Sequence, residues 1–99
     1  MSYTVLIKFA GDVEVFQKAM ADRADEFRAI ADKGRSLGAI THRFAVGDGF
    51  IIAVDEWDNP ASFQTFSSDP EFQAFVGSVG ASGPPEVWVG ESIESPDQF

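Results

Sequence analysis

The order in which the hydrophobic periods change along this chain limits its folds more than any single motif. Tyr3, Val5, Ile7 and Phe9 alternate with Thr4, Leu6 and Lys8, the two-residue period of a strand. From Asp12 to Lys33 the period is helical: Phe16, Met20, Phe27 and Ile30 share one stripe, and Lys18, Asp22, Asp25, Glu26, Arg28 and Asp32 lie outside it. Asp12 is suited to cap that helix and Gly34 or Gly38 to stop it. Two further strand-like runs, Ile40–Val46 and Phe50–Trp57, flank Gly47-Asp48-Gly49, whose glycines tolerate the positive φ of a hairpin turn. Asn59-Pro60 and Asp69-Pro70 each read as a cap followed by proline at the first helical position, which predicts two short helices with a break at Ser67-Ser68. The loose stretch Gly77–Pro85 leads to a last strand over Glu86–Ile93. This order, β-α-β-β-α-β, predicts an α+β fold with one four-stranded antiparallel sheet and its helices on a single face.

Ninety-nine residues make one domain, 1–99 with a short tail at 94–99, and a chain of this length buries roughly 65% of its unfolded surface. The absence of cysteine rules out disulfides, thiolate nucleophiles and Cys-ligated metal, and fits a reducing compartment. Sixteen acidic against seven basic residues give a net charge of −9, which repels phosphate backbones and anionic lipid, so neither nucleic acid nor a membrane is an expected partner. The start Met1-Ser2-Tyr3-Thr4 runs straight into a strand without a signal-like apolar region, and a cytoplasmic location is expected.

Sorting the strands by parity suggests a partner. One face collects Val5, Ile7, Phe9, Ile40, Phe44, Val46, Phe50, Ile52, Val54, Val87 and Val89, the expected floor for the helices. The other collects Leu6, Ala45, Ile51, Ala53, Trp57 and Trp88 among Lys8, Arg43 and Asp55, a larger apolar patch than a soluble monomer usually exposes. A second copy would cover it, with Leu6, Arg43, Ile51, Trp57 and Trp88 as the expected interface. Burying about 400 Å² of apolar area per subunit contributes on the order of 10 kcal/mol before association costs.

A chain of this length and element order, with Glu56-Trp57-Asp58-Asn59-Pro60, Phe63, Phe66, Asp69-Pro70-Glu71-Phe72 and Pro84-Pro85, resembles the antibiotic-biosynthesis-monooxygenase-like group of the dimeric α/β-barrel superfamily. The resemblance covers nearly the whole chain. It implies a ferredoxin-like subunit, a homodimer whose two sheets face each other, and a ligand cavity between sheet and helices. Among the activities it implies are cofactor-free monooxygenation, isomerisation and haem degradation. Where haem-degrading relatives place a tryptophan and, ten residues on, a haem-ligating histidine, this chain has Phe66 and Val76, so haem degradation is disfavoured. No bound cofactor is expected.

His42 is the one histidine, hence the one side chain that ordinarily exchanges a proton near neutral pH; by parity it points toward the helices. It is either a general base or a histidine hydrogen-bonded in the core. Arg23 interrupts the apolar stripe, so its guanidinium either leans over the cavity to hold an oxyanion or snorkels to solvent. Glu56, on the inner parity, is a candidate partner for either. Tyr3, Phe27, Phe44, Phe63 and Phe66 are the expected aromatic contacts for a planar ligand, or else simply core. Asp55 and Glu56 point to opposite faces, so no metal site is expected there. Two functions stay open: a protein that binds an apolar or aromatic metabolite and oxidises or isomerises it without a cofactor, or a non-catalytic ligand-binding or assembly module.

Overall fold

The computed structural model describes residues 1–99 and runs β1 (Tyr3–Gly11), α1 (Val13–Asp22), α2 (Ala24–Leu37), β2 (Ala39–Gly47), β3 (Phe50–Trp57), α3 (Pro60–Ser67), α4 (Pro70–Ser78) and β4 (Ala81–Glu91). The caps sit where the sequence places them. The Asp12, Asn59 and Asp69 side chains accept the backbone N–H groups of Val15, Ser62 and Glu71, so each satisfies one of the orphan donors at a helix start. Two boundaries differ from expectation. The single long helix is two, broken at Arg23, which lets Phe16 of α1 and Phe27 of α2 meet edge to face at 5.8 Å. The last strand begins at Ala81 rather than Glu86 and ends at Glu91. Ala81 and Ser82 already pair with Gly11 and Ala10, and an irregularity between Lys8 and Ala10 accommodates the intervening prolines, which an edge strand tolerates.

Of the two candidate stops for α2, Gly38 is the one used. Its φ of 133° lies where side-chain-bearing residues are strained, and an added Cβ would stand 2.3 Å from Asp58 Oδ1. Gly34 lies one turn earlier inside the helix. The bare face it leaves lets α2 approach the Phe66 ring of α3.

The strands form one antiparallel sheet in the order β2-β3-β1-β4, with the helices on one face: a ferredoxin-like α+β arrangement. Phe9, Ile7, Val5 and Tyr3 of β1 stand opposite Ile51, Ala53, Asp55 and Trp57 of β3, and Val46, Phe44 and His42 of β2 stand opposite Ile51, Ala53 and Asp55. The expected parity of β3 is therefore inverted. Ile51, Ala53, Asp55 and Trp57 are buried under the helices, whereas Phe50, Ile52, Val54 and Glu56 face away from them. Trp57 is 1% exposed, and with Ile51 it is covered within its own subunit, leaving no surface for a partner to contact. Ile40 and Val46, expected beneath the helices, are exposed, Ile40 at an irregularity between Ala39 and Thr41.

The helix-free face still carries an apolar band. Arg43, Val54, Leu6 and Trp88 form one row across all four strands, and Ala45, Ile52, Lys8 and Glu86 the next. Trp88 is 52% exposed there, and Lys8 lies over the Phe50 ring at 4.8 Å. No helix is long and apolar enough to cross a membrane.

Candidate functional site

The core is not filled. Between α2, α3, α4 and the helix face of the sheet lies a cavity of about 480 Å³, within the range of small-molecule sites. Most of its wall is hydrocarbon. Phe16, Phe27 and Phe44 pack edge to face with centroids 5.0–6.4 Å apart, Phe75 meets Phe27 edge to face at 4.9 Å, and Phe66 leans on Trp57 at 5.4 Å. The many phenylalanines thus line a space more than they close it.

On the sheet side a polar constellation interrupts that wall. His42 and Asp55 are direct cross-strand partners on β2 and β3, and Trp57 lies two residues beyond Asp55 on the same face. Asp55 is 7% exposed and both its carboxylate oxygens are used. His42 Nδ1 lies 2.6 Å from Oδ1, and Trp57 Nε1 donates to Oδ2 at 3.2 Å. A buried carboxylate is tolerated because these N–H groups replace the water it loses. A carboxylate only accepts, so Nδ1 must carry the proton, and the lone pair of the neutral ring resides on Nε2. The Phe44 ring, edge to face with the imidazole at 4.5 Å, fixes its plane. His42 keeps 41% of its side chain accessible while lining the cavity. An imidazole held in this way, its tautomer and orientation set from behind, is chemically able to accept a proton at Nε2.

Of the residues singled out from the sequence, His42, Phe27, Phe44 and Phe66 line the cavity. Arg23 does not: it pairs with Glu26, donates to Ser78 Oγ at 3.0 Å and lies over the Phe75 ring at 5.3 Å, tying the α1–α2 junction to the end of α4. Glu56 does not either; the inverted parity turns it to the helix-free face, where it accepts a hydrogen bond from Ser2. Phe63 is buried against Trp57 behind the cavity wall, and Tyr3 lies outside it at the start of β1. Asp55 and Trp57 were assigned to the opposite face and belong here. Arg28, Arg35 and Thr41, also in the lining, were not singled out as site residues.

Neither a protein-family model nor a curated protein matches the sequence. Solved structures match the fold. The cofactor-independent oxygenase SnoaB of Streptomyces nogalater superimposes with a TM-score of 0.67 at 12% identity, over 98% of both chains. Rv0793 of Mycobacterium tuberculosis gives 0.63 at 14% identity over 98% of this chain and all of its own. An antibiotic biosynthesis monooxygenase gives 0.59 at 14% identity over 95% of this chain and all of its own. The chain has the antibiotic-biosynthesis-monooxygenase-like fold. Identities this low speak for architecture alone.

The site itself must carry any chemistry. Val76, at the position where the resemblance puts a haem ligand in haem-degrading relatives, adds only hydrocarbon to the cavity wall. No three His, Cys, Asp or Glu side chains converge to hold a metal ion.

Proposed function

We propose that this chain is a homodimeric, cytoplasmic protein that binds an aromatic metabolite between sheet and helices and moves a proton on it with His42. The observation that carries this reading is the Asp55–His42 pair in the lining of a predominantly apolar cavity. A ligand with an acidic C–H or O–H, held among the Phe16, Phe27, Phe44 and Phe66 rings, would give its proton to Nε2, and the imidazolium formed would be stabilised by Asp55. Returned to another atom of the ligand, the proton completes an isomerisation. If instead the carbanion passes its electron pair to dissolved dioxygen and takes a proton, a hydroperoxide forms, and loss of water leaves a carbonyl with no cofactor involved. The fold shared with a cofactor-independent oxygenase supports the second outcome.

Anthrone, whose central methylene is acidic and flanked by two aromatic rings, is a suitable probe. In D₂O the wild type should speed methylene exchange and, in air, oxygen uptake, and His42→Ala should reduce both by about 10²–10⁴-fold. Tight binding with no acceleration of either would leave a ligand-binding module in its place. The dimer is supported by the apolar side chains of Leu6, Ile52, Val54 and Trp88 on the helix-free face, with Val54 and Trp88 exposed, which a second copy would cover.

A further inference from the structure

The charged residues that line the cavity are Arg28, Arg35, His42 and Asp55. Asp55 is committed to His42 and Trp57, so the charge left to meet a ligand is cationic. That is unusual for a chain with a net charge of −9. The two arginines are seven residues apart on α2, two turns and ~10 Å along one helix face, with Ala31 between them in the cavity wall. Their existing contacts are weak. Arg28 Nη1 meets Asp25 Oδ1 at 2.9 Å, and Arg35 Nη1 meets Asp32 Oδ1 at 3.7 Å, both exposed pairs three residues apart on the helix. Either guanidinium can exchange such a partner for a ligand oxygen at little cost. Ile40 and Thr41 of the edge strand β2, beside His42, are exposed members of the same lining, as the two arginines are.

We propose that the ligand of this cavity is an aromatic carboxylate, its ring system among the phenylalanines and its carboxylate at the opening, held by Arg28 and Arg35. The assignment rests on the cavity being the ligand site, and it adds the class of molecule. Guanidinium forks match a carboxylate with two parallel hydrogen bonds, and the arginines supply the charge attraction that the acidic surface as a whole denies. That repulsion is screened beyond ~10 Å at ordinary ionic strength, so a pair of arginines at the opening decides which ligands enter.

The test uses 2-naphthoate and 2-naphthamide, alike in shape and different in charge, titrated calorimetrically into the full-length protein at about pH 8. The wild type should bind naphthoate about tenfold more tightly than naphthamide. In the Arg28→Gln/Arg35→Gln variant that preference should vanish while naphthamide still binds, which also shows the cavity intact. In the wild type the preference should shrink between about 20 and 300 mM NaCl, a readout that needs no variant. If both probes bind the wild type equally, or the preference survives loss of both arginines, the carboxylate assignment is wrong and the cavity reading stands. If neither binds, both are wrong.

Discussion

Replacing Asp55 separates its two roles, because alanine and asparagine remove different things. Asp55→Ala leaves the Trp57 indole N–H without its acceptor in a core where the ring is 1% exposed, and it opens a small void beside His42. An orphaned buried donor costs about 1–3 kcal/mol, so with the void the loss is about 2–4 kcal/mol. For a domain of this size that lowers Tm by about 10–30 °C. Asp55→Asn keeps the volume. Its amide oxygen can still accept from Trp57, but its NH₂ then faces Nδ1 of His42, where a donor meets a donor unless the imidazole moves its proton to Nε2. With the tautomer switched every group is paired, and neutral bonds replace charge-assisted ones at a cost of about 1 kcal/mol. Asp55→Asn should therefore melt only about 4–8 °C below wild type, yet have its basic nitrogen turned away from the substrate and lose about 10²–10⁴-fold in proton transfer.

The assay is direct because the chain has a single histidine. Ring ¹⁵N shifts of the neutral imidazole should report a protonated Nδ1 in wild type and a protonated Nε2 in Asp55→Asn. Circular-dichroism melts supply the stability ranking. A wild-type ring protonated at Nε2, or an asparagine variant that melts as low as the alanine one, would refute the reasoning that Asp55 sets the tautomer while serving Trp57.

Other expectations follow from the same contacts. Leu6→Lys places a charge in the row between Val54 and Trp88, so sedimentation at about 10 μM should show a dimer for wild type and a folded monomer for the variant; a monomeric wild type would refute the proposed dimer, and a dimeric variant would move the interface elsewhere. Gly38→Ala forces a side chain into a left-handed backbone and toward Asp58, costing about 1–2 kcal/mol, whereas Gly77→Ala in α4 meets nothing within 4 Å and should stabilise by about 0.5–1 kcal/mol; thermal melts of the pair check the sign of each. Lys33 of α2 binds Asp69 at the start of α4, and this hydrogen bond is the main cause that lowers the Asp69 pKa from 3.8 and raises that of Lys33 from 10.5. The tie should therefore be fully present between those values. It should weaken as pH falls through the depressed pKa of Asp69, and again as pH rises through the raised pKa of Lys33. Melts of wild type and Lys33→Met across pH should converge at both extremes and differ between them.

Element order, caps and the helix-side stripe of β1 were legible because each is written in local chemistry: a period of two or 3.6, an oxygen-bearing residue before proline, a glycine after the last turn. The parity of β3 was not, because Phe50-Ile51-Ile52-Ala53-Val54 is apolar on both faces and its larger residues look like the inner ones. An aspartate is also among the residue types least often buried. Yet the hairpin determines it. With Asp48-Gly49 as a two-residue turn, φ +79° falling at Gly49, Gly47 pairs with Phe50, and stepping outward brings Val46 to Ile51, Phe44 to Ala53 and His42 to Asp55. Once Phe44 and His42 face the helices, Ile51, Ala53 and Asp55 must follow, since a shift of one residue would turn every side chain of the strand to the other face. Asp55 can face inward only because the same register delivers an imidazole across the strand, and the indole N–H two residues on completes its hydrogen bonds. The candidate site was thus encoded in turn length and not in residue size, and the small side chain of Ala53 helps leave room for the cavity that larger residues on that face would fill.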